Sequence, residues 1–211
     1  MEITGIREYD RRRKRIELDG GEQSFLLYLG ELRRLRLSEG DILTEERWER
    51  IREEILKPRA RKRVLAYLKT GDKSSAEVRT KLKQGLYPEE VIEDALSFLA
   101  QYKLLDDIRY AENYIEELRG KKSKREIEAK LYAKGLSGSM VRELLSEGLE
   151  EEDEYAACWR ALRQKLGRQL SGELTTEERK KLYGFLMRKG FSYDAVEHCL
   201  RELSEERPLD H

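Results

Sequence analysis

The residue pattern predicts a mainly α fold: three tandem three-helix repeats forming an elongated, gently curved body, with a small antiparallel β extension at the N-terminus. Three observations carry it. Apolar anchors recur at matched spacing, since Leu82 to Ile92, Leu131 to Val141 and Leu186 to Val196 are each ten residues apart. Only 38% of the 211 residues are hydrophobic while 41% are charged, so each element can bury a stripe and no single large core is expected. The first 29 residues instead hold short strand-like runs separated by turn residues.

Taken in order, the extension covers residues 1–57. Its candidate strands read EITGIREY, KRIELD and SFLLYL, with Ile16 and Leu18 on one side of the second. Asp10-Arg11-Arg12 separates the first two, and Asp19-Gly20-Gly21-Glu22 the next pair, where glycines accept positive φ. So few strands are marginal alone, and the meander is expected to lean on a helix after Thr44 whose Trp48, Ile51 and Ile55 share a face. Lys57-Pro58 is expected to end that helix.

The repeats follow at 58–106, 107–150 and 151–211. In the first, Ser74-x-x-Glu77 forms a capping box before Val78 and Leu82, and Ile92, Ala95, Leu96 and Leu99 line the last helix. In the second, Ala111, Tyr114, Ile115 and Leu118 share one helix face. Gly120 closes that helix, and Ser123-x-x-Glu126 caps the next, hydroxyl and carboxylate each satisfying an amide of the first turn. Lys134-Gly135 stops it, and Ser137 is placed to cap a third helix carrying Val141, Leu144 and Leu145. The third repeat opens with a longer helix (Tyr155, Cys158, Trp159, Leu162, Leu166) and a longer loop through Gly172. Gly85, Gly135 and Gly190 fall in the turn between anchors, Gly85 one residue earlier than the others.

The charge balance restricts function. Forty-three basic and 43 acidic side chains cancel, so attraction to nucleic acid or an anionic membrane must come from local clusters. Two cysteines, Cys158 and Cys199, do not make a disulfide scaffold, and no apolar run is long enough to span a bilayer; a cytoplasmic location is expected. Neither a phosphate loop nor a dinucleotide fingerprint is present, and adjacent His198 and Cys199 cannot share a helix face. No enzyme, metal or cofactor is expected. A helix-turn-helix module reading DNA directly is opposed by the third helices, VIEDALSFL, VRELLSEG and AVEHCLREL, whose acids would repel phosphate.

The repeated unit, and above all the junction Tyr102-x-x-Leu105-Asp106-Asp107-x-x-Tyr110-Ala111 continuing into Lys134-Gly135, resembles the RecX regulatory proteins of bacteria over roughly residues 60–203. The strand-rich start is similar to an extension that some members carry. The resemblance implies a modulator without catalysis or cofactor, and a monomer is expected. It would bind RecA and its filaments on single-stranded DNA, in the filament groove, and inhibit filament growth, ATP hydrolysis, strand exchange and SOS coprotease activity. Autonomous nucleic-acid binding would be weak or absent. The alternative is a helical-repeat DNA-binding module or a protein-interaction adaptor unrelated to RecA.

Three basic clusters are candidates for contact with RecA or single-stranded DNA: Arg59, Arg61, Lys62 and Arg63; Lys121, Lys122, Lys124 and Arg125; and Arg188 with Lys189. In the second, basic residues at a helix N-terminus oppose the helix dipole, which an anionic partner would explain. Solvated surface is the competing reading. The run Arg11 to Arg15 reads as an edge strand that uses charge against self-pairing. Asp107 is expected to cap a helix beginning at Ile108, so the signature marks fold more than contact. Tyr67, Tyr110, Tyr114 and Tyr132 are expected to pack between helices, and the acidic run 147–154 to start a helix or form a joint.

Overall fold

Alternating apolar residues fold the N-terminus into an antiparallel sheet of β1 (Ile3–Glu8), β2 (Arg13–Leu18) and β3 (Gln23–Tyr28), in the order β1-β2-β3. The computed structural model describes residues 1–167 and 175–205 and divides into two units, Met1–Asp106 and Asp107–His211. In the register Ile6 pairs with Ile16, which pairs with Phe25. Ile3, Ile16, Leu18, Phe25 and Leu27 are buried, and the Phe25 ring lies 5.1 Å from that of Trp48. The second turn is a short 3₁₀ turn, Asp19–Gly21, with Gly20 and Gly21 at φ of 79° and 95°.

Because β2 is the middle strand, the Arg11–Arg15 run does not guard an edge. Its charge is managed locally instead. Arg13 bonds Asp10 through Nε at 2.8 Å, and Arg15 Nε lies 3.5 Å from Glu17.

A helix that the residue pattern did not reveal, α1 (Leu29–Leu35), follows the sheet, its first turn held by Glu31 accepting from the Tyr28 amide at 2.7 Å. Thr44 then caps α2 (Glu45–Ile51), accepting from the Arg47 amide at 3.3 Å. Lys57-Pro58 does not end this helix. The chain passes through a π-helical turn, Arg52–Leu56, directly into α3 (Lys57–Leu68), and the Lys57 amide donates to the Arg52 carbonyl five residues back. Proline cannot donate and its ring crowds the carbonyl four residues earlier; the wider turn immediately before it relieves both problems.

With α4 (Ser75–Lys83) and α5 (Glu89–Gln101), α3 completes the first repeat. The Ser74–Glu77 box is reciprocal, at 3.2 Å and 3.0 Å. Val64, Val78, Leu82, Ile92, Ala95 and Leu99 join the sheet residues in one continuous core, so extension and first repeat fold on each other.

The second unit contains α6 (Asp107–Leu118), α7 (Lys124–Ala133), α8 (Gly138–Gly148), α9 (Glu151–Leu166), α10 (Thr176–Arg188) and α11 (Tyr193–Glu205). One core gathers Ala111, Ile115, Ile127, Leu131, Val141 and Leu145; another gathers Ala157, Cys158, Leu162, Leu186, Val196 and Cys199. Three caps differ from expectation. Helix α6 begins at Asp107, one residue early, which puts Asp107 in the first turn. Ser123 accepts from the Glu126 amide at 3.1 Å, but the Glu126 carboxylate turns to Lys122 at 2.9 Å rather than back to Ser123. Ser137 stands at the N-cap of α8, yet its hydroxyl meets that of Ser139 at 3.0 Å. The third repeat has its own box: Thr175 accepts from the Glu178 amide at 3.2 Å and its amide donates to the Glu178 carboxylate at 2.9 Å. The loop through Gly172 lies outside the described residues.

The turns after α4, α7 and α10 obey one rule. Four residues beyond the anchors Leu82, Leu131 and Leu186, the backbone is left-handed at Leu86, Gly135 and Gly190, with φ of 52°, 77° and 85°. One residue further, the amides of Tyr87, Leu136 and Phe191 donate back to the anchor carbonyls at 3.3, 3.3 and 3.4 Å. This is the Schellman closure, and all three of those side chains are buried. The early Gly85 therefore does not supply the left-handed residue. It makes room, since a Cβ there would lie 2.9 Å from the Tyr87 ring.

Two outcomes follow. Gly120 is also left-handed, but a Cβ there meets only Ala156 at 3.8 Å, whereas one at Gly190 would stand 3.0 Å from Arg125 Cβ and 3.2 Å from Ser123 Oγ. Gly120→Ala should cost about 1 kcal/mol in urea unfolding and Gly190→Ala about 2 kcal/mol or more. Cys158 and Cys199 are free and fully buried, and the hydrogen bond to Cys199 together with burial pushes the Cys158 thiol up. Both should resist a thiol-specific disulfide reagent in the native protein and react at once in denaturant.

Candidate functional site

Each residue of a helix turns about 100° from the last, so Arg61 and Lys62 point away from Arg59, while Arg63, four residues on, returns to its side. On α3 this separates the first cluster. Arg59 turns to the sheet, where Nη1 donates to the Leu26 carbonyl at 2.9 Å and the guanidinium lies over Tyr28 at 4.8 Å while pairing with Glu31. Arg61 turns to α5, gripping Asp94 with two bonds of 2.8 Å and covering Phe98 at 5.1 Å; the Asp94 carboxylate raises its basicity further. Arg63 is half-buried near Tyr87, whose phenol is pushed up by burial against the opposing charges of Arg59 and Arg63. Lys62 is exposed. The structure thus spends Arg59 and Arg61 on packing and leaves Lys62 facing solvent.

In the second unit the opposite happens: separate clusters are brought together. The Ser123 side chain is fully buried, and while capping α7 its hydroxyl donates to the Lys189 carbonyl at 2.7 Å. Arg125 packs against Gly190. Lys124 and Arg125 on the first turn of α7 therefore share a surface with Arg188 and Lys189 at the end of α10, and all four are exposed. Lys189 Nζ lies over Phe185 at 5.5 Å. The other members of the cluster have internal partners: Lys121 donates to the Glu117 carbonyl at 2.6 Å, and Lys122 pairs with Glu126.

The acidic run starts α9 and supplies caps. Asp153 accepts from the Glu150 amide at 3.0 Å, Glu154 from the Ser192 amide at 3.1 Å, and Asp153 stands 3.4 Å from Arg119. A small pocket of about 90 Å³ sets Lys122 and Lys124 beside Glu150, Glu151, Asp153 and Glu154, so part of the basic surface faces an acidic wall of its own chain.

The signature residues sit at structural positions. Leu105 packs on the core of the first unit, Ala111 is fully buried, and Tyr110 stacks on Tyr114 at 6.2 Å. Asp106 and Asp107 stand at the start of α6, and Lys134-Gly135 closes α7. Tyr67 lies between Lys73 and Lys81, at 5.2 and 5.3 Å, and the Tyr132 hydroxyl donates to Glu128 at 2.5 Å.

Residue patterning missed a groove beside Gly120. Ala156, Trp159, Arg160, Arg163 and Gln164 of α9 line it with Gly120, as a hollow of about 610 Å³ that lies wide open to solvent. Only Gly120 and Trp159 stood out in the sequence, as a helix stop and as part of a core stripe; recurrence of polar residues at 160 and 163–164 was the available signal. His198 stacks on Tyr155 at 4.6 Å with Nε2 3.2 Å from Glu202, and among the described residues no group of three or more His, Cys, Asp and Glu side chains could hold a metal ion. Nor is any helix among them long and apolar enough to cross a membrane.

Fold and surface define a tandem three-helix repeat protein whose candidate site is a charged face assembled from neighbouring repeats. The models of the first, second and third RecX three-helix domains match residues 60–99, 106–145 and 151–200 in that order, and the chain belongs to the RecX family of regulatory proteins. It is 30% identical over 149 residues to the regulatory protein RecX of Clostridium acetobutylicum, covering 70% of each chain. To that of Clostridium tetani it is 28% identical over 206 residues, covering 95% of this chain and 94% of the relative. A crystal structure of regulatory protein RecX superposes with a TM-score of 0.62 at 27% identity over 94% of this chain and 98% of that one. The fold is shared too with RecX from Lactobacillus salivarius, at TM-score 0.62 over 70% of this chain and 96% of that one.

Because one hydroxyl caps α7 and holds α10, Ser123→Ala should destabilise the protein by about 2 kcal/mol, more than the usual loss of about 1 kcal/mol for an N-cap. Chemical unfolding followed by far-ultraviolet circular dichroism measures it.

Proposed function

We propose that this protein regulates RecA by binding RecA and its filament on single-stranded DNA, lying in the filament groove and inhibiting filament growth, ATP hydrolysis, strand exchange and SOS coprotease activity. Family membership supports the reading, and one observation carries it. The Ser123–Lys189 bond places Lys124, Arg125, Arg188 and Lys189 on one exposed face. Two of these cations stand at a helix N-terminus, where they oppose the helix dipole; Lys124 also has the acidic wall of α9 beside it, and an anionic partner would favour Arg125 as well.

Contacts from successive repeats to adjacent protomers of a filament act as linked sites. Modest individual affinities then combine through effective concentration, and a monomer can act below one molecule per RecA protomer. Net neutrality suits a partner that is protein as much as DNA.

The test is RecA-catalysed, single-stranded-DNA-dependent ATP hydrolysis on preformed filaments. Wild-type protein should suppress hydrolysis well below one molecule per RecA protomer. Replacing Lys124, Arg125, Arg188 and Lys189 together by alanine should raise the half-inhibitory concentration about tenfold, or about 1.4 kcal/mol. Replacing Lys121 and Lys122 should change it far less, since their cations are occupied within the chain. No suppression by wild-type protein in excess would discard the RecA reading in favour of a DNA-binding or adaptor role unrelated to it.

A further inference from the structure

A three-stranded sheet has two edges, and each offers outward amides and carbonyls to any strand that meets it. Along β1 the chain itself covers the edge. The Ile3 amide donates to the Asp41 carbonyl at 2.9 Å, the Ile3 carbonyl accepts from the Gly40 amide at 2.8 Å, and the Ile6 amide donates to the Glu39 carboxylate at 2.7 Å.

Along β3 side chains take that role. The Leu29 amide donates to the Arg12 carbonyl at 3.0 Å, which sets the phase of the ladder: residues 23, 25 and 27 turn their backbone groups to β2, and Ser24, Leu26 and Tyr28 turn theirs outward. One ion pair holds two of these outward groups. Glu31 Oε2 accepts from the Tyr28 amide at 2.7 Å, Arg59 Nη1 donates to the Leu26 carbonyl at 2.9 Å, and Arg59 Nη2 closes on the same Glu31 oxygen. The two side chains are only 19% and 23% exposed, so this is a seated latch rather than a loose surface pair. The charge against self-pairing that the run Arg11–Arg15 suggested is thus supplied from α1 and α3.

The strand beneath the latch needs it. Gln23–Tyr28 reads QSFLLY, six residues without charge, glycine or proline in a chain of which 41% is charged. Short uncharged runs of this kind are the ones that pair with their own copies. The outward residues are also self-complementary. A two-fold antiparallel pairing centred on Leu26 sets Leu26 against the same residue of a second copy and Ser24 against its Tyr28, so every outward residue meets an outward residue. We propose that the outer edge of β3 is a self-pairing site held shut by the Arg59–Glu31 latch. Open, it takes the same edge of a second copy of this chain; closed, it keeps the chain a monomer. The site goes beyond the RecA reading and does not depend on it.

The test is sedimentation velocity of the full chain carrying Glu31→Ala and Arg59→Ala together. This double variant should dimerise with an association constant at least about tenfold above that of wild-type protein. The sheet is monitored in a Trp159→Phe background, where emission comes from Trp48, 4% exposed and 5.1 Å from the Phe25 ring, and should remain that of a buried indole. Register is read by adding Ser24→Cys and Tyr28→Cys to the double variant. A short bismaleimide should then join two copies, and should not do so with Ser24→Cys alone, since Cys158 and Cys199 are buried. A double variant that keeps Trp48 buried yet stays monomeric, wild-type protein that associates equally well, or dimers whose positions 24 and 28 are not joined would each overturn the proposal. If the double variant loses the sheet, Arg59→Lys, which keeps the charge without the fork, is judged by the same three outcomes.

Discussion

Everything in the helical part of the chain hangs on the Schellman turn that follows the second helix of each repeat. There the backbone reverses through a single left-handed residue, and the amide beyond it returns to the anchor carbonyl. The same reversal buries Tyr87, Leu136 or Phe191 beneath the next helix. A repeat of this size has too little apolar surface to fix helix directions by bulk burial, so it fixes them by closing the turn and inserting one large side chain. In the first repeat the left-handed residue is Leu86, and Gly85 is given over to the Tyr87 ring.

The N-terminal sheet is part of the same economy. Its inner face and the first repeat share one core, and Arg59 ties α3 to β3 through the Leu26 carbonyl. Many charges that a sequence reader would assign to the surface are internal fastenings: Arg61 on Asp94, Arg13 on Asp10, Asp153 on the start of α9. Such groups gain from fixed geometry and partial burial more than from charge alone. A chain rich in charge and neutral overall can therefore leave only limited areas of uncompensated sign.

Periodicity and turn chemistry made the repeats, the meander and the helix after Thr44 legible, because each follows from local rules. Three things were not legible. Pro58 was expected to break a helix, and only the π turn before it shows how the helix continues. The early glycine concealed the common turn geometry, since the left-handed position is held by a leucine. The meeting of Lys124 and Arg125 with Arg188 and Lys189 depends on Ser123 reaching a carbonyl 66 residues away, a contact between repeats that no local window contains. Conversely, the first basic cluster was split by the helix, which turns Arg61 and Lys62 away from the side that Arg59 and Arg63 share near Tyr87.

The Ser123 hydroxyl ends as it begins, with two obligations. It satisfies an orphan amide at the start of α7 and an orphan carbonyl at the end of α10. In a nearest-neighbour description of a repeat array, intrinsic repeat stability and interface energy are separate parameters. Here they share one atom. Fraying of α7 therefore loosens the hold of the second repeat on the third, and the two are coupled through that atom.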